Sequence, residues 1–117
     1  MPDQLTVEHL PTPEHGVLRL KGPLTAENLS PFQNAIRGEQ APTMILDLTQ
    51  VPYIDSAGLG SLVSAYVSRQ KAGHRVVLAG VNRRVLRVFE ITNVEPLFLI
   101  FPNVCEALDA LTGAAEA

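Results

Sequence analysis

The fold of this chain is decided by the stretch MILDLTQVPYIDSAGLG, residues 44–60. Residues 44–48 form a short, nearly continuous apolar run between two prolines, which is typical of a strand buried on both faces. After Asp55-Ser56, apolar residues recur at helical spacing, and this predicts a helix that ends near Gly73. A buried strand that passes through a loop into a helix is the repeating unit of parallel α/β folds.

Strands and helices alternate on both sides of this stretch. The predicted elements are a hairpin of strands at 5–10 and 17–21, a helix from an N-cap at Thr25 to Gly38, a strand at 75–79, a helix capped by Asn82, a strand at 97–101 and a last helix with Val104, Leu108 and Leu111 on its inner side. The order β-β-α-β-α-β-α-β-α predicts an α/β fold with a mixed, mostly parallel sheet. The 117 residues leave room for one domain, 1–117, with an ordered core expected at about 4–111 and a frayed tail after it.

Composition narrows the classes of function. The formal net charge is −3 and the densest basic cluster, Arg83, Arg84 and Arg87, is short, so direct nucleic-acid binding is not expected. The single cysteine, Cys105, excludes an internal disulfide, and Cys and His lack metal-site spacings, so no cofactor is expected. We expect a cytoplasmic protein without membrane insertion, because no signal peptide is visible and the longest apolar run, 97–101, is too short to span a bilayer.

The helix after Asp55 has two predicted faces. The face toward the sheet is expected to carry Leu59, Leu62, Val63, Tyr66 and Val67. The outer face is expected to carry Ala57, Ser61, Ser64 and Ser68, with no charge before Arg69. A solvated helix face is normally rich in charged residues. This uncharged stripe is therefore either a surface for a protein partner or a row of merely tolerated small residues.

Ser56 lies in the first turn of this helix, where a serine hydroxyl commonly accepts a hydrogen bond from an orphan backbone N–H. The following residues favour a further role. Gly58 and Gly60 each lower helix propensity by roughly 1 kcal/mol relative to alanine. Glycines here allow another backbone to come close and leave the serine hydroxyl uncrowded. Capping and a functional role are both compatible with the pattern.

Two chemical roles for Ser56 are poorly supported. A nucleophilic serine needs a base and an oxyanion hole, yet Ile54 breaks the Gly-x-Ser-x-Gly frame, and none of His9, His15 and His74 has a spacing that marks it as the base. A phosphate-binding serine at a helix N-terminus would follow a glycine-rich loop and precede a lysine, and both are missing. We therefore do not expect an enzyme.

A regulated hydroxyl is the third role. Phosphorylation would add about −1.5 to −2 charges. The helix dipole tolerates a negative charge at this end, whereas the neighbouring Asp55 would repel it. A partner with an acidic group at the facing position would then be expelled, since like charges across an interface cost several kcal/mol.

The six residues Asp55-Ser56-Ala57-Gly58-Leu59-Gly60 resemble the motif of STAS domains, and more narrowly that of bacterial anti-sigma factor antagonists. The likeness covers nearly the whole chain. It includes LKGPL at 20–24, VLRV at 85–88 followed by Ile91-Thr92, and Phe101 followed by EAL at 106–108.

The resemblance implies a partner-switching cycle. The unphosphorylated antagonist binds an anti-sigma factor that is also a Ser/Thr kinase, and a sigma factor is released. The kinase then uses ATP to phosphorylate the residue that corresponds to Ser56, which inactivates the antagonist, and a PP2C-type phosphatase restores it. Asp55, Gly58, Leu59 and Gly60 are implied as the surround of Ser56.

The expected partner surface also takes in Ala57, Ser61, Ser64 and Thr25. At Thr25 the chain departs from the family, which usually has an acidic residue in the loop after the second strand. An alternative within the family is a static binding module, as a subunit of a lipid-transport or stress-sensing complex.

Overall fold

The computed structural model describes residues 4–12 and 15–116, with side chains described as far as Leu111. Its regular elements are β1 (Thr6–Pro11), β2 (Gly16–Lys21), α1 (Leu29–Gly38), β3 (Thr43–Gln50), α2 (Ser56–Lys71), β4 (Arg75–Ala79), α3 (Arg83–Ile91), β5 (Leu99–Phe101) and α4 (Val104–Glu116). Single 3₁₀ turns lie at Ala26–Asn28 and Glu95–Leu97. The order of strands and helices is the one that the sequence predicts.

The five strands form one sheet in the order β1-β2-β3-β4-β5. β1 runs antiparallel to β2, and every later neighbour is parallel, so the prediction of a mixed, mostly parallel sheet is confirmed. Leu18, Leu46 and Leu78 lie side by side across the three central strands. The carboxyl ends of β3 and β4 meet at one edge, where α2 and α3 begin.

Both faces of β3 are covered, which explains its continuous apolar run. Leu46 and Leu48 are completely buried in the larger core, beneath α1, α2 and α3. Ile45 lies on the opposite face, in a smaller core that α4 covers through Ala107. A strand that packs against helices on both sides has no solvated face and therefore no polar alternation.

Several predicted boundaries are wrong. The helix expected from Thr25 begins at Leu29, after the 3₁₀ turn, and Thr25 makes no side-chain capping hydrogen bond. The last strand begins at Leu99, because Glu95–Leu97 form a second 3₁₀ turn. The last helix continues to Glu116, beyond the end expected at Leu111, and Ala117 lies outside the described residues.

The predicted faces of α2 are partly wrong. Val67 was expected against the sheet and is 39% exposed, whereas Ser61 and Arg69 were expected on the outer face and are each only 9% exposed. The Arg69 guanidinium donates hydrogen bonds of 2.7 and 2.9 Å to the backbone carbonyls of Glu39 and Ala41. The buried face of α2 therefore combines apolar residues with two polar ones, Ser61 and Arg69, and the arginine is satisfied by backbone carbonyls.

No helix in the described part of the chain is long and apolar enough to cross a membrane. The described residues also contain no cluster of three or more His, Cys, Asp or Glu side chains suited to a metal ion.

Candidate functional site

Two loops are joined at the carboxyl edge of the sheet. The loop after β3 and the loop after β2 form a short parallel bridge between Ile54 and Leu24. The Leu24 N–H donates to the Tyr53 carbonyl at 3.2 Å, and the Asp55 N–H donates to the Leu24 carbonyl at 3.3 Å. Because these contacts tie the loops together, the start of α2 has a defined position next to the start of the 3₁₀ turn at Ala26.

Asp55 caps two helical segments at once. One carboxylate oxygen accepts a 2.8 Å hydrogen bond from the Gly58 N–H in the first turn of α2, and the other accepts a 3.0 Å hydrogen bond from the Ala26 N–H. The capping that the sequence assigns to Thr25 is therefore performed by a residue from the neighbouring loop. Sequence reasoning missed both contacts: it considered Ser56 as the cap of α2, and the sequence does not show which loop lies beside Asp55.

The hydrogen bonds change the acidity of Asp55. Partial burial acts to raise the pKa of its carboxyl group, and the backbone N–H groups of Gly58, Ala26 and Ala57 together outweigh burial, so the pKa lies below its ordinary value. The carboxylate is therefore ionised at neutral pH and remains a hydrogen-bond acceptor at both oxygens.

Ser56 is the first residue of α2, and its side chain is exposed. Asp55 occupies the N-cap position, so the Ser56 hydroxyl is not needed to cap the helix. Among the residues that the structure describes, no hydrogen bond involves the Ser56 hydroxyl. The simple capping role that a serine at this position commonly has does not apply.

Gly58 and Gly60 have different structural roles. A Cβ atom on Gly58 would lie 2.1 Å from the Leu24 carbonyl oxygen, so the expectation of a close backbone approach is confirmed there. A Cβ atom on Gly60 would have no heavy atom within 4 Å, so the same expectation is wrong for Gly60. Gly60 borders open space in a groove.

This groove lies between α1 and α2, close to Ser56, and has a volume of about 370 Å³. Its α2 side includes Ala57, Gly60, Ser61 and Ser64, and its α1 side includes Leu29, Phe32 and Ile36. Ser61 thus lies in the groove wall although little of its surface is exposed. The only charged side chain among the described lining residues is Arg37.

The histidines lie away from Ser56. His15 and His74 precede β2 and β4, at the edge of the sheet where the parallel strands begin. His9 is paired with Glu39 at 2.6 Å, toward the same edge. Ser56 lies at the opposite edge, so the described histidines are not placed to act as its general base.

Asp55→Asn is expected to lower the free energy of unfolding by about 1–2 kcal/mol at pH 7. The Asn side chain has a single acceptor oxygen, whereas the N–H groups of Gly58 and Ala26 each require an acceptor. A folded-state pKa below the unfolded value means that Asp55 stabilises the fold above its ordinary pKa and that this stability is lost as the pH falls through the folded-state value. Urea unfolding at pH 7 and at about pH 3 measures both effects.

The difference between wild type and Asp55→Asn should therefore shrink at the lower pH. Asp109→Asn, at an exposed position of α4, is the matched control and should leave stability nearly unchanged at pH 7. A difference that stays the same at both pH values would contradict the role of the ionised carboxylate.

A second missed contact involves Asn82, which the sequence marks only as a cap of α3. Its side-chain oxygen accepts from the Val85 N–H, which confirms that cap, and its amide nitrogen also donates to the carbonyls of Val51 and Pro52. The start of α3 is thus attached to the loop that leads to Ser56.

Comparison with known proteins finds a matching domain family and similar proteins of known role. Residues 6–107 match the sequence model of the STAS domain. The anti-sigma-B factor antagonist of Listeria monocytogenes is 42% identical over 55 residues, which cover 47% of this chain and 48% of the relative. The match therefore spans about half the length of that relative. The anti-sigma F factor antagonist of Paenibacillus polymyxa is 28% identical over 114 residues, 92% of this chain and 94% of the relative.

The fold has similar solved structures. The crystal structure of a candidate anti-sigma factor antagonist from Thermotoga maritima superposes with a TM-score of 0.79 and 25% identity, covering 88% of this chain and 92% of that chain. The two sequence relatives are thus both named anti-sigma factor antagonists. The fold is also found outside that role: a sulfate transporter family protein from Wolinella succinogenes superposes with a TM-score of 0.79 and 21% identity, covering 92% of this chain and 93% of that chain.

Proposed function

Because this chain belongs to the STAS domain family, we propose that it is an anti-sigma factor antagonist whose binding is switched off by phosphorylation of Ser56. The unphosphorylated protein binds an anti-sigma factor with Ser/Thr kinase activity and so releases a sigma factor. A PP2C-type phosphatase reverses the modification. This role would be carried out in the cytoplasm, where sigma factors act.

The observation that carries the proposal is the state of the Ser56 hydroxyl. It is exposed, it is relieved of capping by Asp55, and it has no hydrogen-bond partner among the described residues. A kinase can therefore reach this oxygen without breaking a contact that holds the fold. Serine at a solvated helix start is also a place where added negative charge is tolerated by the helix dipole.

The proposed docking surface combines the start of α2 with the groove beside it. It consists of Thr25, Asp55, Ser56, Ala57, Gly58, Leu59, Gly60, Ser61 and Ser64. Ser56, Gly60 and Ser64 are its exposed members, whereas Gly58 and Leu59 are buried and act by setting the shape of the helix start. Small side chains beside the groove between α1 and α2 leave room for a partner's side chains to enter it.

The switch consists of two chemical steps, phosphorylation and dephosphorylation. In the first, the Ser56 hydroxyl oxygen attacks the γ-phosphorus of ATP bound to the kinase, its proton passes to a base of the kinase, and ADP leaves. In the second, water attacks the phosphorus, the bond to the serine oxygen breaks, the proton lost by water is passed to that oxygen to restore the hydroxyl, and inorganic phosphate leaves. Phosphoserine at this point stands next to the ionised Asp55, so the surface offered to a partner becomes strongly negative.

Intact mass after incubation with candidate anti-sigma factor kinases and ATP tests the proposal. We expect one added phosphate on wild type and none on Ser56→Ala, with Ser30→Ala, at an exposed position of α1, still modified as the matched control. Equal phosphorylation of wild type and Ser56→Ala would contradict the site. No phosphate with any kinase, together with stable capture of a partner from lysate, would favour the static STAS module.

A further inference from the structure

A group of three arginines lies at the start of α3, and we call Arg83, Arg84 and Arg87 the arginine patch. All three are exposed. Within the part of the chain that the structure describes, the four ion pairs involve only β1, β2, β3 and Glu39, so none involves the patch. The patch is therefore an uncompensated positive surface on a chain with a net charge of −3.

The position of the patch is unfavourable for the fold. Arg83 and Arg84 are the first two residues of α3, and the first turn has no acidic residue. Cations at a helix N-terminus oppose the helix dipole, and acidic side chains are the residues that stabilise it there. Neither the helix dipole nor an ion pair among the described residues therefore explains the patch, and only Arg84 has a packing contact there, with the Tyr53 ring.

The patch is connected to the loop between β3 and α2, which leads to Ser56. The Asn82 amide donates to the carbonyls of Val51 at 3.0 Å and Pro52 at 3.3 Å. The Arg84 guanidinium lies over the Tyr53 ring, 5.0 Å from its centroid, and Tyr53 is three residues before Ser56. α2 and α3 both begin at the carboxyl edge of the sheet, so a partner that contacts the start of α2 can also reach the patch.

We propose that the arginine patch is a second contact of the partner surface and that it binds an acidic region of the anti-sigma factor. This inference rests on the proposed function and adds the chemistry of the partner. Charges at the rim of an interface act mainly on the rate of association, because they steer the approach of an oppositely charged surface. A nucleic acid is disfavoured as the occupant, since the rest of this negatively charged chain would repel it.

The test measures association of the protein with the anti-sigma factor kinase that phosphorylates Ser56 in the intact-mass experiment, without ATP, by stopped flow at low salt and at 0.15 M salt. The variant is R83Q/R87Q, which keeps Arg84 on Tyr53. The control is K71Q/R75Q, which removes the same charge at two exposed positions at the opposite edge of the sheet. We expect R83Q/R87Q to associate roughly three- to tenfold more slowly at low salt, with less difference at 0.15 M, and the control to behave as wild type.

Thermal unfolding separates binding from folding. R83Q/R87Q should melt at the same temperature as wild type or up to roughly 4 °C higher, because a cation is removed from the positive end of a helix. Equal association rates for R83Q/R87Q and K71Q/R75Q, with wild type binding normally, would overturn the proposed role of the arginine patch in partner binding. The proposed function would remain intact. Failure of wild type to bind would instead overturn the proposed function. Arginine-dependent binding of a 20-base-pair DNA duplex at 0.15 M salt would overturn the acidic protein as the occupant.

Discussion

Gly58→Ala is expected to lower the free energy of unfolding by about 1–3 kcal/mol, and Gly60→Ala is expected to raise it by about 0.5–1 kcal/mol. The added methyl group at position 58 would stand 2.1 Å from the Leu24 carbonyl oxygen, which is backbone and cannot turn away. The methyl group at position 60 would meet nothing within 4 Å, so only the gain in helix propensity remains. Urea unfolding of the two variants measures both effects.

These two variants distinguish the buried glycine that the fold requires from the glycine that is an exposed member of the proposed docking surface. Gly60→Ala places a methyl group in the groove between α1 and α2, so the more stable variant should bind the anti-sigma factor more weakly. Gly58→Ala should lose stability first and binding only as a consequence. If both variants were destabilised by the same amount, the difference in space around the two glycines would be contradicted.

Phosphorylation of Ser56 is expected to weaken binding of the anti-sigma factor by roughly 100-fold or more. Like charges brought together across an interface cost several kcal/mol, and each 1.4 kcal/mol is tenfold in affinity. Ser56→Asp carries about half the charge of the phosphate and should give a smaller loss, while Ser56→Ala should bind as wild type. Isothermal titration of the four forms against the anti-sigma factor measures the series.

A matched variant shows whether position or net charge matters. Gln70→Glu adds one negative charge at an exposed position in the last turn of the same helix, away from Ser56. It should bind as wild type. Equal affinity of wild type and Ser56→Asp would contradict the switch, and equal weakening by Ser56→Asp and Gln70→Glu would show that the effect belongs to total charge.

Local patterns were sufficient for the element order and for the position of Ser56. The apolar run before it and the helical spacing after it depend on residues close together in the chain, so periodicity identifies them. The same reasoning predicted the Asn82 cap, which the structure confirms, because an N-cap residue bonds to a backbone N–H only three positions later.

Periodicity was less successful for the orientation of α2. Arg69 was expected on the outer face, as the first charge after the uncharged stripe. Its partners are the carbonyls of Glu39 and Ala41, about thirty residues earlier in the chain. Ser61 was misplaced for a similar reason, since it lies in the wall of the groove between α1 and α2 and no residue near it in sequence indicates this.

The sequence by itself determined the α/β class, the mixed sheet and the serine at the start of α2, because each depends on the spacing of residues along one segment. The tertiary structure alone decided that Asp55 would cap two segments, that Gly58 but not Gly60 would meet a backbone, and that Asn82 would join α3 to the Ser56 loop. These contacts link residues that lie roughly thirty positions apart. Their geometry is set by how the loops meet at the edge of the sheet, and no local pattern encodes the distance between two loops.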